Sequence, residues 1–531
     1  NTLTDGSSQG HYTVNNGQYS QTYADVLVNI NKRIQDFTIV ANIGASYSGV
    51  TSKELGYAGP IRETGIPNLF NVYDLDNAKK RATQVGWREA TESVFASAEV
   101  GWKSMLYLTV TGRNDWASQL THSPQASFFY PSVGLSAVIT EMLKLPDWVD
   151  YLKVRGSFSS VGNPYPRFLT YPTYSYDANK QDWKSQTNYP IGKLYPERTD
   201  SWEIGLDATL FKDFKLSGSF YYANTYNQTF DPRLPVSSGY DKLYVQTGYV
   251  RNSGFEAMLS YGHRWGDFSW DSSFTFSANK NEIVELVKDY VHPETGKTYN
   301  VDKLELKTDE GRGFGKAKFI LKEGGTLGDL YTHADLKRDI NGNILIDDSG
   351  NVTAIDNAGD IKLGSVLPKA NLAWNNSFSY KGINAGFLLT ARLGGIVYSA
   401  TQAYLDLYGV SETSAAARDA GGVWVNGRSR VNPQSFYEVV ASQSGLPTYY
   451  TYSATNLRLQ EAHIGYTIPR RWLGNVCDIN VSLVGRNLWM IYCKAPFDPE
   501  AVATTNNYYQ GIDYFMMPST RNIGFNIKIN F

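Results

Sequence analysis

The chain is organised by alternation. At its end, Ile523, Phe525, Ile527, Ile529 and Phe531 fall on one side of an extended backbone, and Asn522, Gly524, Asn526, Lys528 and Asn530 on the other. Successive side chains of a strand point to opposite faces, so this is a strand with one apolar and one polar face. Trp202, Ile204, Leu206, Ala208 and Leu210 alternate with Glu203, Gly205, Asp207 and Thr209 in the same way. So do Phe37, Ile39, Ala41, Ile43, Ala45 and Tyr47 with Thr38, Asn42, Gly44 and Ser46, and Phe255, Ala257, Leu259 and Tyr261 with Glu256, Ser260 and Gly262. Further copies begin near Tyr23, Thr91, Met105, Pro131, Tyr151, Lys215, Phe268, Ala370, Ile383, Asn456 and Asp478, giving about fifteen segments. Many are close to the nine to eleven tilted residues, roughly, that a membrane-crossing strand needs.

Within these spans the charges keep to the polar face: Asp25, Glu99, Arg113, Lys153, Arg155, Glu203, Asp207, Glu256, Asp271, Arg392, Arg486 and Lys528. A soluble sandwich also alternates, so the connections have to decide. Tight joins around 34–36, 103–104, 211–214, 264–267 and 381–382, with longer ones at 144–148 and 469–476, take turns with long excursions. The excursions cover 48–90, 116–130, 162–200, 227–250, 281–369, 395–455 and 489–520. Short periplasmic turns opposite long extracellular loops are the signature of an outer-membrane barrel. A sandwich has no physical reason to keep every second loop short. The expected fold is therefore all-β, a transmembrane antiparallel β-barrel.

Composition supports that reading and removes others. The 531 residues include 38 Tyr, 24 Phe and 12 Trp, are 19% charged, and carry a net charge of −2. The charged fraction lies below the quarter or so usual in soluble domains, and no basic block suggests nucleic acid. No apolar run of about 18 residues marks a membrane helix. Cys477 and Cys493 are too few for a disulfide framework or a cysteine metal site.

Parity adds an expectation about the whole. The first and last strands run the same way, so an odd number of strands is expected before Asn1, which is not Met and opens no leader. Residues 1–531 then read as the C-terminal part of one outer-membrane barrel domain.

Several strings resemble one family: LKVRGSFSSVGN (152–163), LYPERTDSWEIGL (194–206), VRNSGFE (250–256), LRLQEAHIGYTIP (457–469), GRNL (485–488) and the terminal Phe531. They are similar to SusC/RagA-type TonB-dependent outer-membrane transporters. The resemblance implies a barrel of about 22 strands, so about seven strands lie outside the chain, in keeping with the odd parity. It implies an N-terminal plug and a TonB-contacting segment, which this chain lacks, and a SusD-like surface lipoprotein over the extracellular mouth. It implies import of a nutrient across the outer membrane of a Gram-negative bacterium, with an oligosaccharide as the first expectation. Oligopeptide import is the alternative within the family; a passive porin or surface adhesin is the alternative outside it.

Chemistry-bearing motifs are sparse, and neither an enzyme nor a cofactor is expected. The six histidines His11, His122, His263, His292, His333 and His463 are scattered, without the HExxH pairing of a zinc protease, and no GxSxG elbow occurs. Gly311, Gly313 and Gly315 before Lys316 fail the spacing of both phosphate-loop and dinucleotide motifs. Asp339, Asn341 and Asn343 sit at calcium-loop spacing. Ile344 and Gly350 occupy the positions where such a loop needs Gly and Glu, so an Asx-rich turn is the plainer reading. Trp424, Tyr449, Tyr450, Tyr452, Tyr508, Tyr509 and Tyr514 lie in the last two long loops, where aromatic faces suit contact with a sugar, a peptide or the lid. Loop packing is the competing use. Glu99, Arg113, Lys153, Arg155, Glu203 and Asp207 are expected to face the lumen, where they either hold the plug or line a solute path.

Overall fold

The computed structural model describes residues 10–531 apart from 67–68, 170–172, 178–181, 186–187, 190–193, 231–241, 244, 292–297, 307–314 and 505–509. Fifteen strands form one sheet in strict sequence order. They are β1 (His11–Ile34), β2 (Phe37–Pro60), β3 (Arg81–Trp102), β4 (Leu106–Ala117), β5 (Ser127–Val138), β6 (Val149–Asn163), β7 (Glu197–Leu210) and β8 (Phe214–Phe230). The order continues through β9 (Val245–Trp265), β10 (Phe268–Glu285), β11 (Ala370–Tyr380), β12 (Ile383–Leu393), β13 (Asn456–Ile468), β14 (Asp478–Cys493) and β15 (Asn522–Asn530). Every neighbouring pair is antiparallel, as an up-and-down barrel wall requires. Among the described residues no helix is long and apolar enough to cross a membrane.

Residues directly opposite in an antiparallel ladder share a face, so the register tests the two-faced reading strand by strand. One continuous row runs Ser136, Arg155, Gly205, Ser219, Glu256, Ser277, Asn371, Arg392, Asn456 from β5 to β13. Neighbouring rows place Asp25 with Ser46, Glu99 with Thr109, Asp207 with Lys153 and Glu461 with Arg486 on that same side. The opposite face carries Trp202, Ile204, Phe220 and Phe255, then Phe525 and Ile527 at the end of the chain. These are large apolar side chains left open, with Ile204 65% and Phe525 78% exposed. An apolar patch of that extent has to be covered.

At the short-turn rim the outward face ends in aromatics. Trp148 stacks on Phe211 at 5.6 Å, Trp265 on Phe268 at 5.8 Å, and Tyr466 lies 6.2 Å from Trp472. Rings of this kind sit at the membrane–water interface, where an apolar body and a polar tip are both satisfied. At the other rim the outward face of β7 passes from Trp202 to the Arg198–Asp200 ion pair at 2.8 Å. Apolar surface therefore occupies only the middle of the wall.

Some strands run further than alternation showed. β2 has 24 residues and β3 has 22, and they stay paired from Phe37–Trp102 up to Ala58–Arg81. Much of the 48–90 excursion is thus ladder standing above the membrane. The remaining long connections span 118–126, 164–196, 231–244, 286–369, 394–455 and 494–521.

Three of those connections fold on one another. Strands Lys303–Leu306, Ala317–Lys322, Asp329–Thr332 and Ile361–Ser365 make a four-stranded sheet from the 286–369 connection. A second small sheet joins Ile396–Ser399 to Thr451–Ser453 and, in parallel, to Ile512–Asp513 of the last connection. Helices Ala400–Leu407, Glu412–Asp419 and Pro433–Val440 start on Ser399, Ser411 and Asn432, each accepting a backbone N–H of the first turn. Their shared core includes Leu306, Phe319, Leu330, Tyr398, Val431, Phe436, Leu446 and Ile512, and reaches Val250 and Ile283 at the tops of β9 and β10. We call this body the cap. A smaller cluster of Leu120, Phe128, Tyr165, Leu169 and Leu194 ties the 118–126 and 164–196 connections together.

Candidate functional site

The polar wall beneath the cap gathers four of the predicted lumenal residues at one place. Arg155 on β6 bonds Asp207 on β7 at 2.6 Å and approaches Glu203 at 3.5 Å. Lys153 stands opposite Asp207 in the ladder, and Ser217 of β8 donates to the same carboxylate at 2.7 Å. Gly205 makes this possible, because a Cβ there would lie 2.5 Å from the Arg155 Cζ. Ion pairs with this much exposure contribute little to stability; their effect is to fix where positive and negative groups stand.

Arg113 belongs to a separate group. Its Nε donates to Asp115 at 2.7 Å and its Nη2 to Ser93 at 2.8 Å, while the Tyr130 hydroxyl donates to the other Asp115 oxygen. Glu99 stands apart again, accepting from Thr109 at 3.1 Å. Asp115 shares Arg113's parity two residues along, a signal that was present in the sequence but not singled out.

A third polar group closes the rim between wall and cap. Arg458, at the start of β13, forks onto Asp498 through Nη1 at 3.2 Å and Nη2 at 2.8 Å, and Nη2 also lies 3.2 Å from Glu500. The Arg458 and Asp498 side chains are 6% and 9% exposed. Burial alone would raise the Asp498 carboxyl, but hydrogen bonds from Arg458, Ser519 and the Glu500 amide outweigh it and hold the group below the usual carboxylate range. This pair pins the 494–521 connection to the wall.

The aromatic candidates are dispersed and mostly packed. Tyr450 is 2% exposed and donates its hydroxyl to the buried Asp406 at 3.0 Å, so its ring holds the cap together. Tyr449 packs on the cap core, edge-to-face with Phe436 at 6.1 Å. Tyr452 meets Phe497 at 5.6 Å, and burial pushes its phenol up to about 12. Tyr514 lies 5.2 Å from Phe515 and lines a hollow of about 630 Å³ with Tyr404, His333, Lys316 and Lys318. Trp424 keeps a ring 56% exposed, with the Arg430 guanidinium 4.5 Å from its centre. Tyr508 and Tyr509 lie outside the described residues, as do His292, Gly311 and Gly313.

The calcium-spaced segment is a pair of turns. Asp339 accepts the amides of Asn341 and Asn343, each at 2.8 Å, and the Asn343 side-chain amide at 3.0 Å. Asp347 repeats the arrangement with Ser349 and Asn351, each at 2.9 Å. The Asp339 carboxylate is engaged by its own turn, which holds its pKa below the ordinary value. Among the described residues no three metal-binding side chains converge. Elsewhere in the cap, Lys303 and Lys322 both donate to Asp360 at 2.7 Å, Lys303 foremost in holding that carboxyl well below the usual range.

The sheet has one face suited to lipid and one to a lumen, and its long connections gather at one rim. The family model described as "TonB dependent receptor-like, beta-barrel" matches residues 1–488. The chain belongs to that family. Its relatives include TonB-dependent receptor P3 of Formosa agariphila, 24% identical over 524 residues covering 91% of this chain and 50% of the relative. They also include TonB-dependent receptor SusC of Bacteroides thetaiotaomicron, 24% identical over 433 residues, 75% of this chain and 40% of SusC. A solved structure titled "Structure of the RagAB peptide transporter" superposes with a TM-score of 0.74 at 17% identity, covering 98% of this chain and 56% of that one. The chain thus spans about half the length of the relatives it matches. TonB-dependent receptors of this SusC/RagA type are outer-membrane proteins of Gram-negative bacteria, and the family is one of receptors and transporters.

Proposed function

We propose that this chain is the C-terminal wall of a TonB-dependent importer that takes up an oligomeric nutrient, an oligosaccharide in the first reading. In this reading a SusD-like surface lipoprotein covers the mouth, and TonB acts through a plug region outside these residues. Transport is then a shift between closed and open states of the plug within a rigid frame. The observation that carries the proposal is the polar wall, with its charges fixed in pairs, roofed by a folded extracellular cap. A passive porin needs no such roof.

The sheet's two edges support the larger barrel. β1 pairs only with β2 and β15 only with β14 among the described residues. An open edge in lipid leaves backbone groups unsatisfied at a cost of several kcal/mol each, and in this reading further strands close it. The resemblance sets the total at about 22.

Oligopeptide import is the second reading. One observation favours it: most of the described aromatic candidates are committed to packing, which leaves few open rings for stacking on sugars.

Native mass spectrometry of the detergent-extracted complex from its own outer membrane tests the proposal. We expect an assembly well above the 59.3 kDa of this chain, with a co-purifying lipoprotein and a bound oligomer whose mass names its class. A lone barrel without partner or added polypeptide mass would put the porin or adhesin reading in front.

A further inference from the structure

One lumenal cation has no ion-pair partner in contact with it among the described residues. Arg392 is the penultimate residue of β12, on the polar face of the wall at its extracellular end. Of its guanidinium nitrogens only Nη2 has a partner among the described residues, the Val366 carbonyl at 2.7 Å beneath the cap. Its Nε is buried and has no hydrogen-bond partner among the described residues. The charge of Glu500 acts on Arg392, but that carboxylate is engaged elsewhere: it lies 3.2 Å from Arg458 and accepts from Asn456 at 3.2 Å. A charged donor left without its full set of partners is unfavourable, so an acceptor that reaches the guanidinium is favoured there.

The surroundings are open to a solute arriving from outside. Arg392, Asn371, Gln460 and Thr390 border one hollow of about 790 Å³ on the lumenal side, together with Arg155 and the carboxylates of Glu256 and Glu500. Glu256 shares Arg392's row three strands away, about 14 Å at the usual strand spacing, and faces the same hollow without reaching the guanidinium. Arg155, on that row in mid-wall, is by contrast already satisfied by Asp207 and Glu203. Strands in such walls tilt by about 35–45°, so the row climbs from Arg155 towards the mouth at Arg392.

We propose that Arg392 is the carboxylate-binding residue of the wall, a specificity determinant that takes a carboxylate of the incoming solute as it passes under the cap. The proposal rests on the import reading for the source of that solute. The guanidinium fork matches a carboxylate in shape and charge, and a neutral solute leaves it unsatisfied.

The test uses the complete transporter purified with its partners, and calorimetric binding of trigalacturonic acid and trialanine, each beside its methyl ester. The acid is expected to bind more tightly than its ester for at least one of the two, which also tells a uronate from a peptide carboxylate. Arg392→Gln should weaken the acid by about tenfold or more, the scale of a lost charge-assisted bond, and leave the ester unchanged. Arg392→Lys should fall between. Equal affinity for acid and ester in the unaltered protein, or failure of both acids to bind, overturns the proposal. So does Arg392→Gln lowering the melting temperature of the assembly while sparing acid binding, because the carboxylate would then belong to the protein's own interior. Import is scored separately in cells lacking TonB. Entry that persists there, with the acid–ester contrast intact, sinks the import reading and leaves the carboxylate site standing.

Discussion

Leu206→Arg is expected to remove most of the folded barrel from the membrane, while Ser219→Arg leaves it near normal. Leu206 is the middle of the outward set from Trp202 to Leu210, between the Arg198–Asp200 pair above and the stacked Trp148 and Phe211 below. An arginine at mid-depth on a lipid-facing strand costs about 2–4 kcal/mol, a large part of the 5–15 kcal/mol or so that holds a typical fold. Ser219 stands on the opposite face, in the row with Glu256, where an arginine meets water and a carboxylate. Heat-modifiable mobility on gels, read as the folded fraction in outer-membrane preparations, separates the two. Equal losses would mean that the faces have been assigned wrongly.

Arg458→Ala is expected to detach the 494–521 connection from the wall. Removing one partner of a buried pair leaves the other charge unpaired, at a cost of about 3–5 kcal/mol. Asp498 would be that charge, with only the Ser519 hydroxyl and the Glu500 amide left to it among the described residues. Limited proteolysis of the intact protein should then cut within 494–521, and Asp498→Ala added to Arg458→Ala should slow the cutting again. The pH dependence has a definite sign. The folded Asp498 carboxyl lies below its unfolded value, so its contribution is complete above the ordinary aspartate range, near pH 4, and is lost as pH falls through the folded value. Protection of this connection at neutral pH should therefore fade in acid, while Arg458→Ala shows the opposite trend, because protonation relieves its unpaired Asp498. Unchanged cleavage in Arg458→Ala would leave the pair without the role assigned to it.

The wall was legible in the sequence because lipid and water impose opposite demands on alternate residues. That is why Phe255 to Tyr261 and Ile523 to Phe531 could be placed on a face by parity alone, and the register agrees. Where both faces meet water the pattern dissolves. The stretch from Ser48 to Pro60 continues β2 but shows no apolar face, so alternation broke off at Tyr47. The first residues of β1, from His11, fade for the same reason. The cap was illegible on different grounds. Its strands and helices are short, and they are stabilised by contacts between connections far apart in sequence, such as Tyr398 to Ser444 and Ser399 to Asp513.

The candidate site was legible in part. Arg155, Glu203 and Asp207 share one parity, and the structure joins them. Composition alone cannot separate an aromatic that packs, such as Tyr450, from one that stays open, such as Trp424. Arg458 lies within a string that marked the family, but its acid partners Asp498 and Glu500 sit in a connection where only aromatic residues stand out in the sequence.

The central claim is that one face of this sheet meets lipid and the other a polar lumen. Single cysteines from Ser201 to Leu210 of β7, introduced after replacing Cys477 and Cys493, can be spin-labelled in the reconstituted protein. Collision with oxygen reports lipid, and collision with a water-soluble nickel chelate reports water. The account predicts strict alternation, with 202, 204, 206, 208 and 210 accessible to oxygen and 201, 203, 205, 207 and 209 to nickel. Uniform nickel access along the strand would contradict it.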